Sequence, residues 1–271
     1  MTTTSWKRRF RQIRIAALLA LLVTVVLFAY TDVRSRSRRN EWTAPLHVAL
    51  VLLEEAPVDP LAVQKLRART TALETQLQAE EARYRPAPLA PIRFEIFGPA
   101  HVSRQPPAPE GPGLWDLIRY TWELRRYVHA IDEAMGIDSG QFDSRVYTTI
   151  RPPVGTEPTH VEGRSENGGR IAQVHVELDG DMADLALIVM THELLHTLGA
   201  TDKYDASGRT LVPDGLADPT RQPLFPQDRV EVMARNRPTA PGVEVVPTTL
   251  PELGVGPLTA REIGWAPALA P

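Results

Sequence analysis

The sequence predicts an α+β protein in which a sheet packs on helices, preceded by one transmembrane helix at the amino terminus. Three observations support this. Short apolar runs of strand length alternate with long amphipathic segments after residue 44. A helix that is apolar nearly all round follows them, as expected for a buried element. Ahead of both lies a long uncharged stretch flanked by basic residues.

That uncharged stretch, "IAALLALLVTVVLFAYT", covers residues 15–31. Its 17 residues would form a helix about 25 Å long, at the short end of what spans a bilayer. A cleaved signal peptide is the alternative, but "FAY" puts bulky residues where cleavage needs small ones. We therefore predict a basic cytoplasmic tail (1–14), a signal-anchor (15–31), a basic stem (32–43) and one folded domain (44–271). The domain is expected outside the cytoplasm, on the periplasmic or extracellular side, or secreted if the segment is cleaved.

Composition limits the function. The chain has 271 residues and a net charge of −3, so it has no basic excess for binding nucleic acid. It has no cysteine, which excludes disulfides, thiol nucleophiles and thiolate metal ligands. The domain must be held together by its hydrophobic core, for which its length is sufficient.

Strands and helices alternate along the first part of the domain. Residues 44–53 form an apolar run rich in valine and leucine, as in a buried strand, and residues 92–98 alternate like a half-buried one. Residues 59–84 and 114–136 carry apolar side chains at helical spacing among charged ones. Residues 144–150 are a further strand candidate, so the order is β-α-β-α-β.

In the second part, a strand leads directly into the apolar helix. The strand "IAQVHVEL" (171–178) alternates, which predicts one buried face and one free face carrying Gln173 and His175. The preceding residues, 161–170, are expected to be a turn-rich connection. The helix runs over residues 182–198, with Asp179 or Asp181 as its cap. A short closing helix follows at 258–265.

The apolar helix carries the chemistry, in the stretch "THELLHTLGATDKYD". His192 and His196 are four residues apart, so they lie on one helical face and can both point at one ion about 2.0–2.1 Å away. Glu193 is rotated from that face and is placed to act on water beside the ion. Zinc lowers the pKa of water to about 7, and a carboxylate can take the proton and pass it to a leaving amine. Polar groups on a buried helix are costly unless something binds them.

A catalytic zinc site usually has three protein ligands. Gly199 can adopt positive φ, end the helix and turn the chain back. Asp202 then becomes the expected third ligand for one Zn²⁺ per chain, with Asp205 as its rival. A site with a glutamate ligand on a later helix would need Glu262, which the spacing from Gly199 to Asp202 makes unnecessary.

The string His-Glu-x-x-His-x-x-Gly-x-x-Asp resembles the extended zinc motif of the metzincin metallopeptidases. Aspartate replaces the usual third histidine, as in snapalysin-type peptidases. "DRVEVMAR" supplies Met233 for the methionine turn of that family, and "LTAREIGW" is similar to its closing helix. The resemblance implies a zincin-like, twisted mixed sheet over the active-site helix, with a cleft lined by the preceding strand.

The chain also departs from the family. Some metzincins have a tyrosine two residues after the turn methionine, whereas this chain has Arg235. Tyr204 or Arg235 is a candidate to stabilise the transition state instead.

Together these features predict a membrane-anchored zinc endopeptidase that hydrolyses peptides or proteins, with Glu193 as general base. The alternative is a zinc-binding envelope scaffold that binds a partner without turnover. A third possibility is a membrane-anchored structural protein without metal.

Overall fold

The computed structural model describes residues 3–102, 105–109, 111, 113–153, 162–165 and 169–267. The helices are α1 (Thr3–Arg39), α2 (Pro60–Glu81), α3 (Leu114–Met135), α4 (Ala183–Thr197) and α5 (Pro257–Glu262). The main sheet contains β1 (Leu46–Glu54), β2 (Ile92–His101), β3 (Ser144–Arg151), β4 (Glu162–Ser165) and β5 (Ile171–Glu177). Short strands follow as β6 (Val230–Glu231), β7 (Arg237–Ala240), β8 (Val243–Val245) and β9 (Leu253–Gly254).

The main sheet has the strand order β2-β1-β3-β5-β4. The first four of these strands run parallel, and β4 pairs antiparallel with β5. The sheet is therefore mixed, and the α+β class predicted from the sequence agrees with it. The two short ladders, β6 with β9 and β7 with β8, lie in the part of the chain after α4.

The strand β1 is buried on both faces because helices cover both sides of the sheet. Val48, Leu50 and Leu52 share one core with α2 and α4. Val51 and Leu53 share a second core with α3. A strand covered twice must be apolar at successive positions, which explains its uninterrupted apolar run.

The transmembrane part of the prediction is wrong. Among the helices of the described residues, none combines the length and the apolar character needed to cross a membrane. The uncharged run at 15–31 is only 17 residues long, about 25 Å against a hydrocarbon core of about 30 Å. The same helix, α1, continues through charged residues on both sides of the run.

The end of α1 is docked onto the domain. Arg39 is 4% exposed, and its Nη2 donates to the carbonyl oxygens of Gly169 and Thr197 at 2.9 and 3.0 Å. The side chain of Asn40 donates to Leu198 O, and the indole of Trp42 donates to a carbonyl just after α5. The stem predicted over 32–43 therefore ends in buried contacts with the C-terminal end of α4.

Two details around β5 differ from the sequence prediction. The segment expected to be a turn-rich connection contains β4, the edge strand. On β5, the face with Ala172 and Val174 is buried as predicted. The opposite face is not wholly free, because Gln173 is 5% exposed and donates to the hydroxyl of Tyr120 on α3. His175 is exposed.

Candidate metal centre

The helix α4 holds His192, Glu193 and His196 in a fixed place because most of its other side chains are buried. Leu187, Leu194 and Leu195 are fully buried in the core shared with the sheet and α2. The predicted cap is wrong, because the N-cap of α4 is Met182, which makes no side-chain capping bond. Asp179 instead closes the turn before the helix. Its Oδ1 accepts from the backbone N–H of Asp181 and Met182 at 2.8 and 3.0 Å.

The two histidines present their Nε2 atoms to each other at a distance of 3.2 Å. Both side chains are largely buried, at 12% and 14% exposure for His192 and His196. Each Nδ1 lies 2.8 Å from a backbone carbonyl oxygen, that of Val232 for His192 and that of Ala200 for His196. A carbonyl can only accept, so each Nδ1 carries a proton. Nε2 therefore faces the site in both forms of the ring: as a lone pair that can bind a metal when the ring is neutral, and as an N–H that donates to Asp202 when the ring is protonated.

The chain reverses directly after α4 and brings a carboxylate to the same place. Gly199 has φ +97°, a conformation that a residue with a side chain rarely adopts. Beyond it, Oδ1 of Asp202 lies 3.2 Å from Nε2 of His192 and 3.2 Å from Nε2 of His196. The predicted third ligand therefore lies with the two histidines.

These three atoms form a triangle whose sides are all 3.2 Å. Ligand atoms about 2.0–2.1 Å from one ion in a tetrahedral site lie roughly 3.3–3.4 Å from each other. Two imidazole nitrogens and a carboxylate oxygen are also ligand types that zinc accepts. The donor set and its spacing thus fit a zinc ion.

Glu193 adjoins this triangle from the buried side. Its side chain is 7% exposed, and its Oε1 lies 3.9 Å from Nε2 of His192. A ligand atom from each of His192, Glu193 and His196 lies within 4.8 Å of the others. The carboxylate is therefore next to the donor atoms without belonging to the 3.2 Å triangle.

The electrostatics couple the carboxylate to the histidines. Burial favours the neutral form of Asp202, but hydrogen bonds from His192 and His196 outweigh it and hold the pKa of Asp202 below its usual range. Burial likewise favours neutral His196. Its hydrogen bond to Asp202 and the charge of Glu193 outweigh that effect and raise the pKa of His196.

Met233 is fully buried. The backbone of the turn around it contacts His192 and the residue that follows Asp202. The carbonyl of Val232 accepts from His192, as described above. The carbonyl of Met233 accepts from the backbone N–H of Lys203, the residue after Asp202, at 2.8 Å. The backbone N–H of Met233 in turn donates to the buried carboxylate of Glu231 at 2.6 Å.

Tyr204 and Arg235 form a stack beside the triangle. The Tyr204 ring lies nearly parallel to that of His192, with centroids 6.3 Å apart, and the Arg235 guanidinium is 5.5 Å from the Tyr204 centroid. Burial raises the pKa of Tyr204 to about 12, helped by the charge of Asp202 and a hydrogen bond to it. The phenol therefore stays protonated at neutral pH.

The rival ligand Asp205 is used within its own loop. Its Oδ1 accepts from the backbone N–H and hydroxyl of Ser207 and from the backbone N–H of Arg209. These are the bonds of an Asx turn, and the side chain is exposed.

Two contributors were missed by sequence reasoning: the carbonyl oxygens that orient the histidines and the buried Lys203. Backbone carbonyls carry no residue-type signal. Lys203 is 1% exposed although it lies in a charged, loop-like stretch, and nothing in its neighbours indicates burial.

No protein-family model matches this chain, and no curated protein is similar to it in sequence.

Proposed function

We propose that this protein is a zinc-dependent peptidase in which His192, His196 and Asp202 hold one zinc ion and Glu193 is the general base. The observation that carries the proposal is the 3.2 Å triangle of donor atoms with a buried carboxylate beside it. The resemblance of the motif to that of the metzincins supports the choice of peptide bonds as the substrate.

The protein's own groups supply the proton chemistry. When bound, zinc would act as a Lewis acid that lowers the pKa of water to about 7 and polarises a substrate carbonyl. Glu193 takes a proton from the attacking water and returns it to the leaving amine as the C–N bond breaks. Its low exposure keeps that carboxylate from being solvated by bulk water.

The residues around the triangle orient the ligands. The carbonyls of Val232 and Ala200 hold both imidazoles in the tautomer that leaves Nε2 free. Tyr204 bonds to Asp202 and stacks on His192, so it restrains two of the three ligands. Its protonated hydroxyl and the Arg235 guanidinium are the nearby donors proposed to stabilise an oxyanion.

The experiment combines metal analysis with a hydrolysis assay. The purified wild-type chain is expected to contain about one zinc per chain and to cleave an unfolded protein substrate. Glu193→Gln should keep the zinc and lose at least about 100-fold in rate, because general-base catalysis contributes about 10²–10⁴-fold. Glu133→Gln, at an exposed position on α3, is the control and should behave as wild type.

Three results would count against the proposal. A chain without zinc would refute the metal centre. Undiminished hydrolysis by Glu193→Gln would refute the role of that residue. A zinc-containing wild type that cleaves no peptide bond would favour a zinc-binding protein without turnover.

A further inference from the structure

The segment that carries Asp202 is fixed by a residue outside the metal centre. Glu262, at the end of α5, accepts from Thr201 on one side of Asp202 and from Lys203 on the other. Its Oε2 accepts from the backbone N–H of Thr201 at 3.1 Å and from Nζ of Lys203 at 2.8 Å. Its Oε1 accepts from the Thr201 hydroxyl at 2.8 Å and from the same Nζ at 3.0 Å. One carboxylate thus holds both neighbours of Asp202.

Lys203 is an unusual component because its side chain is almost entirely buried. A buried ammonium is costly unless it is paired and its protons are all bonded. Nζ donates to the carbonyl and the hydroxyl of Thr201 at 2.8 and 2.7 Å, in addition to Glu262. Burial raises the pKa of Glu231, whose carboxyl accepts from Met233 N–H, and the nearby charge of Lys203 partly offsets that effect. Lys203 also donates its backbone N–H to Met233 O, so it contacts both the segment that carries Asp202 and the turn at Met233.

The backbone of Lys203 is held as well. Its N–H donates to Met233 O, and its carbonyl accepts from the N–H of Leu211, both at 2.8 Å. The side chain of Asp202, by contrast, is 44% exposed, so packing on the solvent side does little to fix it. Its position is set by its contacts with Tyr204 and the two histidines and by the anchored residues on each side.

We propose that Lys203 and Glu262 are positioning residues that place Asp202 for zinc, and that their ion pair raises the zinc affinity of the site. This inference rests on the proposed function, since it assumes that Asp202 is a ligand. In this proposal, Glu262 anchors the segment from Thr201 to Lys203, which carries Asp202. Ligands held in place before binding need not be ordered when the ion arrives, which favours tight binding.

The test measures zinc affinity by competition with a chromophoric chelator, on protein shown to be folded by circular dichroism. Glu262→Gln and Lys203→Met should each weaken zinc binding by roughly 10- to 100-fold, the usual loss when a partner of a ligand is removed. The double variant should lose about as much as the weaker-binding single variant, because the two side chains act as one unit. Lys203→Arg, which keeps the charge, should recover part of the affinity.

A matched control separates positioning from general stability. Asp132→Asn breaks another buried ion pair, with Arg145, on the opposite face of the sheet. It should lower the melting temperature while leaving zinc affinity unchanged. Thr201→Val, which removes only the hydroxyl bonds, replaces Lys203→Met if that variant does not fold, and should weaken zinc binding by a smaller factor.

The outcomes distinguish this inference from the proposed function. One result would overturn this inference and leave the proposed function intact. In it, wild type binds zinc tightly, and the folded Glu262→Gln variant and the folded Lys203→Met variant (or Thr201→Val in its place) bind zinc equally tightly. Equal loss of affinity in Asp132→Asn would also overturn it, since stability would then be the cause. A wild-type chain that binds no zinc would overturn both.

Discussion

The Nε2 atom of His192 and the Oδ1 atom of Asp202 lie 3.2 Å apart, on opposite sides of the chain reversal at Gly199. One residue belongs to a buried helix and the other to an exposed loop. Their approach converts a local pair of helical histidines into a three-donor centre.

Asp202→Asn and Asp205→Asn form a matched pair, because both replace an aspartate of the same loop by its amide. Asp202→Asn removes the proposed anionic ligand, and we expect zinc affinity to fall by more than about 100-fold, beyond the usual loss when an outer partner of a ligand is removed. Asp205→Asn should keep wild-type affinity, since an asparagine Oδ1 can accept the same turn bonds. Chelator competition measures both. A larger loss for the Asp205 variant would identify that residue as the ligand.

The contacts between His196 and Asp202 should stabilise the metal-free protein most in mildly acidic solution. The raised pKa of His196 stabilises the fold below its unfolded value of about 6.5, and this contribution is lost as pH rises through the higher folded value. The lowered pKa of Asp202 stabilises the fold above its unfolded value of about 3.9, and this is lost as pH falls through the lower folded value. Both contributions are present from about pH 4 to 6.5.

Urea unfolding in the presence of a chelator, from pH 4 to 9, measures this profile. The free energy of unfolding of wild type should exceed that of Asp202→Asn most clearly between about pH 4 and 6.5, and the difference should narrow at higher pH. If the difference in free energy of unfolding between wild type and Asp202→Asn stayed constant from pH 4 to 9, the pKa values of His196 and Asp202 would not be shifted as described.

Much of the fold was predictable because its signals are local. The helix predicted over residues 182–198 is Ala183–Thr197, and the strand predicted over 171–178 is Ile171–Glu177. The strand alternates with a period of two, and the helix is apolar nearly all round, as a buried helix is. The edge strand β4 was missed because it has four residues, among them Gly163, and is defined by pairing with β5 rather than by its own pattern. The transmembrane prediction was wrong where an apolar run lay at the lower limit of length.

The candidate site also has some features with a local sequence signal and others without one. The spacing of His192 and His196 and the glycine before Asp202 are sequence signals with a direct geometric meaning. The contact between Lys203 and Glu262 joins residues far apart in the chain and depends on how α5 docks. Residue type did not separate Asp202 from Asp205, whose side chains differ here in the partners that the fold gives them.

Arg39 anchors α1 to the end of the helix that carries the histidines, and Arg39→Ala should destabilise the fold. Its Nη2 donates to the carbonyls of Gly169 and Thr197, which would be left buried and unpaired. The free energy of unfolding should fall by about 1–3 kcal/mol, as expected for a lost buried hydrogen-bonding group. Arg38→Ala, in the same turn of α1 but exposed, is the control and should change it by less than about 0.5 kcal/mol. Equal effects of the two substitutions in urea unfolding would show that the anchoring contacts contribute no stability.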